Sequence, residues 1–422
     1  MGNKLNVKGS RKPIDIAYDR CPQGAKNAAL PVLCATLVFN NKSIIENVPD
    51  ISDVKVLLRL FKRINLDFSY VKHTFIKYPS RLKKIDFPKS FYKSRGGFYL
   101  IASLIKQWGT LKIRGYEIGG CKIGNRPYTH FLRVLKNFGY AVDIKGGDLV
   151  IRRSAQYRGK IIQLNDLGIV ASGMALILAS QFEAKTTLVK FGKAPELNDL
   201  IKLIKEKEIF IKKRGRTLVI RGCDRNNHQS SLHPFKLQDD RMVIATYAVL
   251  SLITGGTFTI TTEKLKYLSS FLGLLKKINA SVKSHRGVTC IARNGDLRPV
   301  KVKVADYPGI PTDIQPIITV LLAGAKGVSI IEDKIFPNRI AHIAELKKVG
   351  TDIEHREGII VIRGGKRFIA NSVRAKDLRS CAALLLASCI AKGTTTVSSW
   401  DQIYRGYEYL ISIIRSNRAL NI

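Results

Sequence analysis

Carboxylates are scarce in this chain. Against 71 Lys and Arg stand 32 Asp and Glu in 422 residues, a formal net charge of +39. No apolar run reaches the roughly 20 residues that a bilayer span needs; the longest, Met174 to Ser180 and Cys381 to Ile390, fall well short. The opening Met1-Gly2-Asn3-Lys4-Leu5-Asn6 lacks the continuous apolar core of a signal peptide. The seven cysteines (Cys21, Cys34, Cys121, Cys223, Cys290, Cys381, Cys389) are scattered and form no C-x-x-C pair. That argues against a zinc ribbon or a disulfide framework and fits core thiols in a reducing compartment, with one exception taken up below. No basic tail and no aromatic-basic RNA signature is present, because the cations are spread through the chain. The charge therefore reads as a solvated basic surface. The chain is expected to be cytoplasmic, with neither a membrane nor a nucleic acid as partner.

What is present is a repeat. At 45% apolar residues the chain can build large cores, and its length suits two domains. A pattern of roughly 70 residues recurs about six times. Each copy has a β-branched strand, opening at Lys42, Gly109, Lys185, Gly256, Gly327 and Gly393. An amphipathic helix follows, with apolar residues at i, i+3, i+4 and i+7, as in Asp53 to Phe61, Phe131 to Phe138 and Leu197 to Ile204, then Leu268 to Ile278, Ile340 to Val349 and Gly406 to Ile414. A helix apolar nearly all round precedes each strand: Ala28 to Leu37, Phe98 to Trp108, Ile169 to Ala179, Met242 to Ile253, Ile314 to Ala323 and Leu378 to Ala391. Such helices belong at a domain centre. Six β-α-β-α-β-β units in two groups of three predict two similar α/β domains, residues 1–25 plus 240–422 and residues 26–239, with the polar stretch Cys223 to Gln238 at the border. A ligand is expected in the cleft between them.

Several short segments carry potential chemistry. Gly24-Ala25-Lys26-Asn27 opens onto an apolar helix, so it is either an anion site at a helix N-terminus or a solvated lysine beside a capping Asn. Cys121 lies in Gly119-Gly120-Cys121-Lys122-Ile123-Gly124-Asn125-Arg126-Pro127, where glycines expose it and two cations can lower its pKa. Asp313, in Tyr307-Pro308-Gly309-Ile310-Pro311-Thr312-Asp313, is either a helix N-cap or a carboxylate held as a base. Asp240-Arg241 and Asp377-Leu378-Arg379 open buried helices and read as structural. Arg405-Gly406-Tyr407-Glu408 opens the final helix, and Arg95 the helix of the second unit. Arginines at helix starts suit phosphate or carboxylate oxygens.

Taken in order, GAKNAALPVL, GGCKIGNRP, the Asp240-Arg241 pair, YPGIPTDIQ, IFPNR (Ile335 to Arg339), DLR and RGYE closely resemble the UDP-N-acetylglucosamine enolpyruvyl transferase (1-carboxyvinyltransferase) family over nearly the whole chain. The sister family, the 5-enolpyruvylshikimate-3-phosphate synthases, shares the fold and lacks the cysteine loop. The resemblance implies a two-domain inside-out α/β barrel, with the first residues joining the C-terminal half. It implies transfer of the enolpyruvyl group of phosphoenolpyruvate to the 3′-hydroxyl of UDP-N-acetylglucosamine, the first committed step of peptidoglycan synthesis. Lys26, Asn27, Arg126 and Arg405 would hold phosphoenolpyruvate. Cys121 would be the general acid, under a lid formed by its own loop, and Asp313 would take the hydroxyl proton. Lys26 and Arg405 would also count as catalytic. The UDP-sugar would meet Asn27, Arg95, Arg126, Pro127, Tyr128, Thr129, His130, Asp313 and Ile335. No metal or organic cofactor is implied, and the chain is expected to be a monomer or weak oligomer.

The chain departs from the family pattern on the nucleotide side. Ile118 stands where the family usually has Pro, and Tyr128-Thr129-His130 where it has Val-Asp-Leu. Leu167-Gly168-Ile169-Val170 replaces Lys-Val-Ser-Val, and Tyr404 takes the place of an Asp. An enolpyruvyl transferase with another acceptor, or a basic nucleic-acid-binding relic, are the alternatives. The relic would have no reason to keep Lys26, Cys121, Arg126, Asp313 and Arg405. A lost lysine and a lost serine each remove roughly 1–3 kcal/mol of charge-assisted hydrogen bonding. The Michaelis constant for UDP-N-acetylglucosamine is thus expected to lie about tenfold or more above the family's ordinary range; steady-state kinetics giving an ordinary value would contradict this.

Overall fold

The computed structural model describes residues 3–10, 12–88, 91, 96–115, 129–165, 167–223, 233–417 and 420–421. These fall into two compact units, one built from the described parts of 1–23 and 239–422 and the other from those of 24–238. The chain passes from one to the other at Gln23/Gly24 and at Gln238/Asp239.

Twelve α-helices are described and come in pairs: α1 (Lys26–Ala35) with α2 (Ser52–Arg63), α3 (Gly96–Trp108) with α4 (Thr129–Asn137), α5 (Gly168–Ala179) with α6 (Glu196–Glu206), α7 (Arg241–Thr254) with α8 (Ser269–Lys277), α9 (Gln315–Ala323) with α10 (Ala341–Lys348), and α11 (Leu378–Ile390) with α12 (Leu410–Asn417). The first of each pair is the apolar one and sits at the centre of its unit; all 14 residues of α7 and all 9 of α9 are buried. Polar side chains inside these helices are satisfied locally: Thr246 donates to Met242 O (2.8 Å) and Thr254 to Leu250 O (2.9 Å). The second helix of each pair buries one face only. In α2, Asp53, Val54, Leu57, Leu58, Leu60 and Phe61 turn inward while Lys55, Arg59, Lys62 and Arg63 are exposed. No described helix is long and apolar enough to cross a membrane.

Each pair threads one small sheet. In the third repeat the strands lie side by side as Ile161–Gln163, Thr186–Val189, Thr217–Arg221 and Phe210–Arg214. The first two are parallel because α5 crosses between them; the rest are antiparallel. The same spatial order recurs in all six sheets, except that the second repeat has a single bridge, Phe87 to Ile113, in place of its first strand. Three sheets per unit cover three buried helices, so the architecture is inside-out: helices within, open sheets without. Distant segments complete three of the sheets. Lys4–Lys8 runs antiparallel to Thr394–Ser398, Ile16–Ala17 parallel to Phe258–Thr261, and Phe235–Lys236 parallel to Ser43–Glu46.

The last repeat corrects one expectation. Arg405-Gly406-Tyr407-Glu408 does not open a helix: Arg405 closes the 3-10 turn Trp400–Arg405, and α12 starts only at Leu410. The carbonyl of Gly406 and the N–H of Glu408 are both taken by the Gln23 side chain.

Leu5 and Val7 are fully buried by the strand Lys4–Lys8. Leu5→Ala is expected to destabilise the unit containing α7, α9 and α11 by about 2–5 kcal/mol. A lowered first transition in thermal or denaturant unfolding would show it, and an unchanged one would mean that this strand contributes nothing.

Candidate active site

In the unit spanning 24–238, Gly24 is packed so tightly that an added Cβ would lie 1.6 Å from the Asn47 carbonyl oxygen, so only glycine fits there. Ala25 N donates to Gln238 O (2.9 Å), and α1 begins at Lys26. Lys26 is not a solvated lysine: its side chain is 13% exposed and its Nζ lies 3.3 Å from Asp53 Oδ2, in the first turn of α2. Asn27 is not a cap, since the N-cap position is Ala25 and makes no side-chain bond. Thr129 (exposed) and His130 (half-buried) open α4. Leu167, at the expected nucleotide contact, is buried in the core, while Ile169 is half-buried. Arg95, Cys121, Arg126, Pro127 and Tyr128 lie outside the described residues, as do Ile118 and most of the 223–238 border.

In the other unit Asp313 loses one of its two readings, the helix N-cap. It stands in the 3-10 turn Thr312–Ile314 ahead of α9 and caps neither helix. Its carboxylate is held from two sides: Arg339 Nη1 donates to Oδ1 at 2.6 Å and Arg379 Nη2 to Oδ2 at 3.0 Å. Both arginine side chains are about 95% buried, at 4% and 5% exposed, while Asp313 keeps 29% exposure. Arg379 Nη1 also donates to Tyr407 Oη (2.9 Å), which lies 2.9 Å from Thr246 Oγ1 of α7. Burial works against the Arg379 charge, but Tyr407, Asp313 and Asp240 outweigh it and hold the guanidinium above its ordinary range.

These contacts bring together the N-terminal ends of α7, α9 and α11. Asp240 caps α7 (Met242 N at 2.8 Å), and Asp377 caps α11 in a capping box with Ser380. Both pairs had read as structural, and the Asp of each is. Arg379, however, was missed, as were Arg339, Asp333 and Tyr407. The available signal was an arginine two residues after a capping Asp, and an arginine ending IFPNR. Asp333 (2% exposed) anchors that segment: it accepts from Ile335 N (3.0 Å), Phe336 N (2.9 Å) and Thr312 Oγ1 (2.6 Å). It thereby ties the Asp313 turn to the loop that presents Ile335, 40% exposed. Arg339 stacks over Phe336 at 5.2 Å. Arg405 follows Tyr404, whose ring packs edge-on against Trp400 (5.5 Å).

Asp313 is shared by two buried guanidiniums, while Asp240 and Asp377 already cap the N-termini of α7 and α11, so the cluster gathers opposite charges around a partly open carboxylate. Such a place can orient a carboxylate toward a hydroxyl.

A family model described as EPSP synthase (3-phosphoshikimate 1-carboxyvinyltransferase) matches residues 20–414. The UDP-N-acetylglucosamine 1-carboxyvinyltransferase of Wolbachia sp. subsp. Brugia malayi (strain TRS) is 30% identical over 415 residues, 96% of each chain. That of Kosmotoga olearia is 28% identical over 417 residues, 97% of this chain and 96% of its own. Among solved structures, the enolpyruvyl transferase NikO from Streptomyces tendae is similar with a TM-score of 0.87 at 21% identity, covering 100% of this chain and 99% of that one. EPSP synthase from Acinetobacter baumannii has a TM-score of 0.75 at 15% identity, with both chains fully covered. The two structures speak for the fold.

His342, 1% exposed, lies 3.4 Å from Thr319 Oγ1 and 3.5 Å from Gln315 Nε2. Burial first, then Arg339 and His355, push its pKa down from 6.5 to about 3. Because the folded value is the lower one, its contribution is complete above pH 6.5 and is lost as pH falls toward 3, where the unfolded chain takes up a proton first. His342→Gln is expected to flatten the acid limb of unfolding between those pH values; an unaltered limb would rule this residue out as its source.

Proposed function

The chain belongs to the EPSP synthase (3-phosphoshikimate 1-carboxyvinyltransferase) family of enolpyruvyl transferases, and from that premise we propose that it transfers the enolpyruvyl group of phosphoenolpyruvate to the 3′-hydroxyl of UDP-N-acetylglucosamine, releasing phosphate. The observation that carries this reading is the Asp313 carboxylate, held by Arg339 and Arg379 yet still partly open. The named relatives, alike over nearly their whole length, support the choice of acceptor.

In this reading Lys26, Arg126 and Arg405 place three positive charges against the three negative charges of phosphoenolpyruvate. Asp313 takes the proton of the attacking hydroxyl while that oxygen bonds to C2, and Cys121 delivers a proton to the methylene carbon. Breaking the C2–O bond to phosphate and removing a proton from the resulting methyl group restores the double bond. Atoms and charges then balance without a redox step. Asn27, Arg95, Thr129, His130 and Ile335 contact the UDP-sugar, together with Pro127 and Tyr128. The product serves peptidoglycan synthesis.

Phosphate release should be measured with UDP-N-acetylglucosamine in wild type, Cys121→Ala and Cys121→Asp. Wild type should be active, Cys121→Ala down by about 100-fold or more, and Cys121→Asp between them because a carboxylic acid can still donate a proton. A silent wild type that releases phosphate with another nucleotide sugar or with shikimate-3-phosphate would reassign the acceptor. Silence with every acceptor would defeat the reading.

A further inference from the structure

We propose that Gln23 is a positioning residue that sets both Arg405 and the Asp313 carboxylate, an inference that rests on the function just proposed. Gln23 stands immediately before the Gly24-Ala25-Lys26-Asn27 segment, at the last position before the chain leaves its unit. It is 1% exposed, and all four of its polar groups are engaged. Its backbone N donates to Tyr18 Oη (3.1 Å), and its carbonyl accepts from Asp240 N (2.8 Å) and faces Tyr18 Oη at 3.3 Å. Its side-chain Nε2 donates to Gly406 O (2.9 Å) and its Oε1 accepts from Glu408 N (2.8 Å).

The two side-chain bonds grip the peptide on either side of Tyr407. They hold the backbone on both sides of Tyr407 and occupy an N–H that a continuing helix would use, which separates the Trp400–Arg405 turn from α12. Arg405 is joined to Gly406, whose N–H donates to Ile403 O (3.1 Å) and whose carbonyl is held by Gln23, so the Gln23 bond fixes the chain immediately beyond Arg405. Tyr407 is fixed between the two bonds, and its Oη meets Arg379 Nη1, whose Nη2 in turn meets Asp313. One buried amide therefore stands behind two groups with separate roles, an anion-binding arginine and a base. Only a primary amide at this length offers a donor and an acceptor at equal reach. A carboxylate lacks the donor, and a thioether of similar volume lacks both.

The test uses the full chain with Gln23→Met and Gln23→Glu. It measures thermal midpoint, phosphoenolpyruvate binding by calorimetry with and without UDP-N-acetylglucosamine, and steady-state constants for each substrate. A misplacement of this kind is expected to weaken phosphoenolpyruvate binding and lower kcat by about ten- to a hundredfold in Gln23→Met. Gln23→Glu, which keeps the bond from Glu408 N, should fall between it and wild type. The KM for the sugar nucleotide should change much less than that for phosphoenolpyruvate. A lowered midpoint with unchanged constants in either variant would make Gln23 merely structural and overturn the proposal, and Gln23→Glu answers alone if Gln23→Met does not fold. A wild type that fails to bind phosphoenolpyruvate overturns the functional reading and this inference with it, whereas a binding wild type with equally binding variants overturns only the inference.

Discussion

No single β-α-β-α-β-β unit can hide a helix that is apolar on every side. An exposed α7 or α11 would leave a full helix surface in water, and one small sheet covers only one flank. Three units together solve the problem, because each central helix then has two helices and a sheet around it. At roughly 25 cal/mol per Å² of buried apolar surface, this association dominates the stability of each unit. Everything else is arranged around that constraint. The sheets stay small and open because each serves one helix, and the chain ends must return to finish sheets that sequence order would leave incomplete.

The same packing creates the chemistry of the 239–422 unit. The central helices α7, α9 and α11 bring their N-terminal ends together, where N–H groups and partial positive charge accumulate. Asp240 and Asp377 answer this locally as caps, which leaves Arg379 and Arg339 facing Asp313 rather than water. Burying two guanidiniums would be costly without that carboxylate. Their hydrogen bonds to Asp313 offset the cost and fix the carboxylate's orientation.

Packing likewise places Lys26 in the other unit. Its place at the first position of α1 follows from Gly24, which no side chain could replace without striking Asn47. Its charge is held by Asp53 at the start of α2. The basic character of the chain is a separate matter: exposed lysines and arginines carry it both on the outer helices, as on α2, and on the strands, as at Lys212, Lys213 and Arg214.

Much of the fold was legible in the sequence because periodicity is local. All-round apolar helices, one-faced helices and β-branched strands each announce themselves within a dozen residues, and the described helices fall where those patterns lie. Asp313 was legible as a residue with two readings; the structure removes the capping one and supplies its partners, Arg339 and Arg379. What the sequence could not show was any partnership between distant positions. Arg379 looked like a helix-start residue, Asp333 like a loop acid, and Gln23 like nothing in particular. Their contacts lie 66, 21 and 383 residues away, and the final helix starts late because one of those contacts competes for its backbone. Hydrogen-bond partners at such separations are set by how three helices pack, so the sequence alone determined the repeats and the residue types, and the tertiary structure decided which of those residues act together.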